Sequence, residues 1–534
     1  MGNALPLEVV GLFDGWPRWA YEVLFACYAI LVMGLVLSER RRPTATLAWI
    51  LALIFVPLLG LAFYLVFGRS RVRRRRRRRA RQALRPFEDT YELARVADVP
   101  ATLSPVQADL VRLALRLAAA PLRRARSLTV LDHAEAIRAS LFEAIAAAQH
   151  YVHLEFYIWK DDASGRALTR LLAERARAGV RVRILYDFVG SLGLPASHFA
   201  ELVEAGGEAL PFEPVRIPLP HRLHHLNFRN HRKIVVVDGD VGFLGGANVG
   251  DEYLASAFQG GAWHDLMFRI EGDAVLSLAT TFDEDWITAT GEVLDLEGRT
   301  PAEAARADAR KPPRDRVGPP TLAFGSRRRR LPRNLAPYPP PEARPARSEG
   351  PLVQIIPSGP DREVVDTIAL QVVAAITAAR RRLLIATAYF VPDEPTMAAL
   401  RTAALRGVDV RILLPSPRTS DQPWVGFAAR SYYDDLLAAG CRIFEFGEGM
   451  LHAKCMVIDD DVTLVGSANM DVRSFYVNYE ITALVYGSDT SRRIAELFEG
   501  YVARSKEISL EGRATQPWSR RIAENVARTL SPLL

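Results

Sequence analysis

Hydrophobic and polar positions fall into two blocks of the same order. Residues 151–159 form a β-rich apolar run, a helical stretch continues through Arg177, and residues 179–187 form a second run rich in Val, Ile and Leu. The order returns as residues 383–391, a helix near residues 397–405, and residues 407–415. Strand, helix, strand in sequence implies parallel pairing through right-handed crossovers. The chain therefore reads as an α/β protein with two tandem α/β/α halves, and long repeats of this kind pack as a pseudo-dimer.

Two further apolar runs, 19–38 and 45–67, precede the repeat and have no polar face. Each is about long enough to cross the roughly 30 Å hydrocarbon core of a bilayer as a helix. No cleavage site of small residues follows the first, so they read as a retained helical hairpin that anchors the chain. Arg69, Arg71 and the block 73–79 follow the second run. Charge on that side places the catalytic body at the cytoplasmic face of the cell membrane. Arg40, Arg41 and Arg42 then lie on the far side, against the same rule; a shallow hairpin that enters and leaves one face removes the conflict.

The expected domains are an anchor over 1–68, a basic juxtamembrane and helical linker over 69–127, and a first catalytic half over 128–297. A flexible Pro/Arg-rich linker over 298–350 and a second catalytic half with its tail over 351–534 complete the chain. The 298–350 composition buries too little apolar surface to order itself. Residues 101–127 mix leucines with arginines and fit a packing helix or an interfacial one.

Chemistry enters through a string written twice: His231, Lys233 and Asp238, then His452, Lys454 and Asp459 at identical spacing. Gly245-Gly246-Ala247-Asn248 and Gly466-Ser467-Ala468-Asn469 follow at the same offset. The chain has 10 His, and five lysines among 68 Lys plus Arg. Chance yields such a string on the order of 0.005 times in this length. Histidine and lysine two apart on a strand share a face, so both reach one pocket. Asp238 and Asp459 have the opposite parity at the strand end and suit bracing a half-site better than touching substrate.

Together the halves supply two imidazoles, two ammoniums and two side-chain amides. One imidazole attacks while the other protonates a leaving oxygen, and the second then turns from acid to base. The surrounding donors and positive charge suit a phosphoryl centre, with Asn248, Ser467 and Asn469 as phosphate-holding candidates. No metal-ligand spacing accompanies the motifs, so no metal or other cofactor is expected. A nucleophilic imidazole needs its other nitrogen held by a carboxylate. Asp265 and Glu480, each just ahead of a final apolar strand and seven residues before a glycine, occupy equivalent positions for that task.

This pattern resembles the phospholipase D superfamily, whose signature is the paired HKD motif, and within it the bacterial cardiolipin synthases. The finer likeness rests on Arg42-Pro-Thr-Ala-Thr-Leu-Ala-Trp49 running into Pro57, Gly60, Tyr64 and Gly68. It rests also on Leu154-Glu-Phe-Tyr157 with Asp187-Phe-Val-Gly-Ser191, and on Tyr389-Phe-Val-Pro392 with Arg473-Ser-Phe475. The resemblance implies a phosphatidyltransferase that takes phosphatidylglycerol, forms a phosphatidyl-histidine on His231 with His452 as acid and then base, and releases cardiolipin and glycerol. Sequence symmetry does not decide which histidine attacks. A phospholipase D that passes the intermediate to water, or a membrane-tethered nuclease, would use the same residues. The donor, phosphatidylglycerol or phosphatidylethanolamine, and the oligomeric state stay open. Gly246 departs from the serine usual in the superfamily, which Ser467 keeps.

Charge and cysteine content narrow the setting. The formal net charge is +7 and 49% of the 534 residues are hydrophobic. The basic residues concentrate beside the apolar runs and at 327–330 rather than along a groove with interleaved aromatics, which favours anionic membrane lipid over nucleic acid as partner. Three cysteines make no disulfide framework.

Overall fold

A computed structural model describes residues 17–37, 43–56, 59–61, 63–64, 100–212, 227–253, 262–290, 350–362 and 364–530. The arginine block 73–79, Arg40–Arg42 and the linker 298–350 apart from Gly350 lie outside the described residues. The chain divides into two compact units, residues 1–71 with 215–227, and residues 72–214 with 228–534.

In the first unit, α1 (Arg18–Leu37) and α2 (Pro43–Phe55) pack around Val32, Val36, Leu53 and Tyr64. The Tyr28 hydroxyl donates to the Leu53 carbonyl at 3.1 Å. The expected second span over 45–67 is not one helix. α2 stops at Phe55 ahead of Pro57, which lacks an N–H and crowds the residue before it. At 1.5 Å per residue α2 covers only about 20 Å. Among the described residues no helix is long and apolar enough to cross a membrane.

The second unit holds both halves of the repeat, and it is bound together before the first half begins. Helix α3 (Pro105–Ala118) starts at a capping box made by Ser104 and Gln107. Its buried Leu110, Val111, Ala114 and Ala118 pack in the core of the second half. Strand β1 (Arg123–Arg124) likewise adds to the second half's sheet. The segment expected as a linker thus completes the far half of the chain.

The first half runs β2 (Ser127–Leu131), α4 (Ala134–Ala146), β3 (Tyr151–Phe156), α5 (Ala163–Arg177), β4 (Arg181–Tyr186) and β5 (Glu208–Pro211). It continues through β6 (Ile234–Val237), β7 (Val241–Gly245), β8 (Trp263–His264), β9 (Met267–Glu271) and α6 (Val275–Thr290). The sheet order is β2-β9-β7-β6-β3-β4-β5, with β3, β4 and β5 parallel and the other pairs antiparallel. Strand β3 is buried along its whole length, His153 and Glu155 included, as a central strand covered on both faces. Helices α4 and α5 cover one face of this sheet.

The second half repeats the plan with β10 (Leu352–Ser358), α7 (Thr367–Ala378), β11 (Arg382–Ala386), β12 (Phe390–Val391), α8 (Glu394–Leu405) and β13 (Asp409–Pro415). Then come α9 (Pro423–Arg430), β14 (Arg442–Phe446), β15 (Met450–Leu451), β16 (Cys455–Ile458), β17 (Val462–Gly466) and β18 (Met470–Asp471). Strand β19 (Glu480–Tyr486), α10 (Ser488–Val502), β20 (Ser505–Ile508) and α11 (Trp518–Leu530) close the chain. The order is β1-β10-β19-β17-β16-β11-β13-β14-β20, again with a parallel trio, β11, β13 and β14. One apolar cluster unites Ile234, Leu244 and Phe268 of the first sheet with Leu384, Val457 and Ile481 of the second, and with Phe498 of α10. The two halves therefore share a core.

Asp238 and Asp459 terminate β6 and β16 in the left-handed region, at φ of 51° and 48°. The Asp238 carboxylate accepts from the backbone N–H groups of Gln149, His150 and Tyr151 at 2.7–2.8 Å. Asp459 does the same for Arg380, Arg381 and Arg382 at 2.7–2.9 Å. The third member of each motif is thus a brace that fixes the start of β3 or β11 against the motif strand. Asp459→Ala leaves three N–H groups without that acceptor and is expected to cost about 2–4 kcal/mol, read as a lower Tm. Asp459→Asn, which tolerates the backbone and keeps an acceptor, is expected to lose less, and an unchanged Tm for the alanine variant would contradict the brace.

Candidate active site

Each His-x-Lys segment is stitched by backbone to the other half. The His231 N–H donates to the Tyr479 carbonyl at 2.9 Å, and the Tyr479 N–H to the Arg229 carbonyl at 2.8 Å. In the other half β15 pairs in parallel with β8, and the His452 N–H donates to the His264 carbonyl at 2.7 Å. This crossing sets the partners of the two imidazoles. His231 Nδ1 lies 3.0 Å from Glu480 Oε2, and His452 Nδ1 lies 2.6 Å from Asp265 Oδ2. Each histidine is therefore gripped by a carboxylate from the opposite half. With Nδ1–H given to the carboxylate, Nε2 is the nitrogen left for chemistry.

The lysines lie beside them. Lys233 Nζ donates to the His231 carbonyl at 2.6 Å, and Lys454 Nζ donates to the His452 carbonyl. An ammonium has three donors, so each retains hydrogens for a ligand. Lys233 also sits 5.3 Å from the Tyr157 ring centroid, whose edge meets His231 at 4.9 Å. His452 is flanked by Trp263 at 5.0 Å and Tyr253 at 6.3 Å.

Burial dominates the electrostatics. It pushes the His231 imidazole down to about 4, with Lys233 and Lys454 adding to the effect and Glu480 opposing it. His452 is lowered by burial and Lys454 against the pull of Asp265. Lys233 is pushed down to about 7 by burial and by Lys454 of the other half, while Glu480 and Asp265 act to hold its proton. Burial also lowers Lys454. Burial would raise Glu480, but His231, Lys233 and the Ser467 hydroxyl outweigh it and hold the carboxyl below its usual range. Near neutral pH the site thus offers a neutral, oriented imidazole at His231.

The three residues expected to hold phosphate differ in their surroundings. The Ser467 hydroxyl donates to Glu480 Oε2 at 2.5 Å and accepts from the Ile481 N–H at 3.0 Å, so it positions the acid rather than facing substrate. Asn248 spends its carbonyl oxygen on the Ile158 N–H at 3.2 Å and its amide on the Tyr253 hydroxyl at 3.3 Å. Asn469 gives its backbone N–H to the Ser474 hydroxyl at 3.1 Å, while its buried Oδ1 has no hydrogen-bond partner. Asp238 and Asp459 stand at the far ends of their strands, away from the paired rings.

The glycine at 246 has a local cause. A Cβ there would meet Asp265 Oδ1 at 2.2 Å. Aspartate is one methylene shorter than glutamate, and its grip on His452 brings it against the backbone where the other half has room for a serine. Gly246 with Asp265 and Ser467 with Glu480 are therefore matched pairs.

Sequence reasoning missed Arg232, which lies between the motif His and Lys and points the other way. It is fully buried, pairs with Asp285 of α6, and donates to the Ser358 carbonyl at 2.6 Å and the Glu480 carbonyl at 3.1 Å. Asn230, beside it, donates to Glu155, and its N–H reaches Asp187 Oδ2 at 2.8 Å. Burial and Asp285 hold the Glu155 carboxyl well above its usual range, which favours its protonated form. The signal available in sequence was a lone acid inside the apolar run of β3. Among the described residues no group of three side chains is arranged to hold a metal ion.

The chain is similar to proteins of known family over nearly its full length. A family model described as cardiolipin synthase, phospholipase D-like domain, matches residues 141–286 and 372–502, and one described as phospholipase D-nuclease N-terminal matches 24–69. A cardiolipin synthase of Geobacillus kaustophilus is 38% identical over 98% of this chain and 96% of its own. Cardiolipin synthase 2 of Bacillus anthracis is 35% identical over 96% of this chain and 91% of its own. Among solved structures, phosphatidylserine synthase of Haemophilus influenzae superposes with a TM-score of 0.54 at 14% identity, covering 80% of this chain and all of that one. That likeness is one of fold.

Gly246→Ala should force Asp265 off His452 and lower turnover about 100-fold, since a displacement near 1 Å at a catalytic group has that cost. Near-normal turnover in a correctly folded variant would contradict the matched-pair account.

Proposed function

This chain belongs to the phospholipase D-like family of bacterial cardiolipin synthases and is a phospholipid phosphatidyltransferase; from that premise we propose that it joins two phosphatidylglycerol molecules through a phosphatidyl-histidine. The crossed carboxylate–imidazole pairs carry this reading, because they equip two rings of unlike environment for two complementary tasks.

In the first step His231 Nε2 attacks phosphorus, and the bond from phosphorus to the headgroup glycerol oxygen breaks. His452, protonated on Nε2, gives that proton to the leaving oxygen, so glycerol departs neutral. The low proton affinity of His231 keeps its lone pair available. In the second step a glycerol hydroxyl of another phosphatidylglycerol gives its proton to His452 and attacks phosphorus. The phosphorus–nitrogen bond breaks and cardiolipin leaves, with both rings restored. Lys233 and Lys454 serve the phosphoryl oxygens, where charge is spread in the transition state. An incoming phosphate also raises the proton affinity of His452, which arms it as an acid only when substrate is bound.

Membrane association fits the first unit. Trp19, Ile30, Leu31, Leu37, Leu47 and Phe55 are exposed large apolar residues on α1 and α2. The short α2 favours a shallow insertion over a full crossing. The arginines that follow residue 68 in the sequence support a cytoplasmic position for the catalytic halves.

With headgroup- and phosphate-labelled phosphatidylglycerol in excess EDTA, the purified chain is expected to yield cardiolipin and free glycerol. Phosphatidic acid as the sole product would replace transfer by hydrolysis. His231→Ala and His452→Ala should each lower turnover by at least about 10³-fold, and residual activity above about one per cent in both would sink the two-histidine scheme. The pH profile supplies another check. Lys233 loses its charge as pH rises through about 7, so kcat/KM for the anionic lipid is expected to fall on that side. A fall only near the ordinary lysine value, about 10, would contradict a buried, electrostatically compressed pair.

A further inference from the structure

Helix α11 is held at the surface by one face only. Ala527 reaches the second half's core, and the buried Glu524 accepts from Arg513 at 2.9 Å, while Arg513 in turn pairs with Asp434 at 2.6 Å. These contacts fix the rotation of the helix. Its opposite side then presents Trp518, Ile522 and Val526, spaced by four residues and exposed to 75, 51 and 54%. Residues four apart stand one above another on a helix, so the three form a continuous apolar stripe. Arg521 and Arg528 lie along one flank of it; Arg521 donates to the Arg513 carbonyl at 3.2 Å and Arg528 lies 4.4 Å over the Tyr432 ring, and both keep exposed surface. Trp424, on the neighbouring α9, is 67% exposed. Aromatic rings beside a basic flank are the composition of a helix lying in the headgroup region of an anionic leaflet.

We propose that α11 is a membrane-docking helix whose Trp518–Ile522–Val526 stripe enters the surface of a leaflet rich in anionic phospholipid. The partner follows from charge complementarity: arginines line the apolar stripe, and the lipid on which the catalytic site is proposed to act is itself an anion. The inference rests on that reading of the substrate. Its consequence is that the catalytic halves are held to the bilayer by a contact of their own, separate from the N-terminal unit, at the end of the chain.

The test uses the full chain reconstituted in nanodiscs of phosphatidylglycerol with phosphatidylcholine, in nanodiscs of phosphatidylcholine alone, and in detergent, with hydrogen exchange followed over residues 518–530. Slower exchange confined to the phosphatidylglycerol discs supports the proposal. Equal exchange in all three, or slowing that grows with protein concentration in detergent, overturns it, the latter by assigning the stripe to a second copy of the chain. Ile522→Glu is expected to abolish the slowing and raise KM for phosphatidylglycerol in bilayers roughly tenfold, leaving kcat/KM for a monomeric short-chain phosphatidylglycerol unchanged. An equal loss on both substrates would mark α11 as structural. Should Ile522→Glu fail to fold, Trp518→Ala gives the same readout at a more exposed position. Failure of transfer itself would appear as absent cardiolipin with either substrate, whereas failure of docking alone leaves the short-chain reaction intact.

Discussion

The site depends on an exchange between the two halves: each paired imidazole takes its carboxylate partner from the half that does not carry it. Glu480 holds His231, and Asp265 holds His452. Neither half contains a finished nucleophile or acid. The backbone pairs that bring His231 to Tyr479 and His452 to His264 make the interface between halves and the geometry of the rings one and the same construction. The brace aspartates, the shared core and the buried Arg232 clamp all serve to keep that interface in register.

Burial is the second constraint, and it gives the site its chemistry. Two lysines and two histidines out of water repel one another and shed protons more readily than they would in solvent. The two carboxylates return only part of that cost. On the proposed reading, a phosphodiester entering the site would supply negative charge and so couple its binding to protonation of the rings. That coupling suits a two-step transfer, in which one ring must be neutral while the other carries a proton.

Much of this was legible in the chain. The period-two spacing of His and Lys gave a shared face, and the matching offsets of Asp265 and Glu480 marked them as acids for the rings. The identity of each acid's partner was not legible, because it is a property of how two halves pack and not of either one. Arg232 was hidden because a strand residue of opposite parity reads as ordinary solvent-facing polarity, whereas here the far side faces α6 and β19. The glycine at 246 looked like a lost hydroxyl, and the 2.2 Å that would separate an added Cβ from Asp265 explains it. Assignment of α3 and β1 to the second half depends on pairings more than 200 residues apart, such as Arg123 with Val353, which no local pattern encodes. The apolar run 45–67 misled in the other direction: composition carried past Phe55, where α2 ends.

The crossing itself is best tested by nitrogen NMR of the imidazole rings in the chain labelled at histidine. Glu480→Gln should shift the Nδ1 resonance of His231 and leave His452 near its original position, while Asp265→Asn should do the reverse. A Glu480→Gln variant that chiefly perturbs His452, or one that moves neither ring, would contradict the exchange of carboxylates between halves on which the account is built.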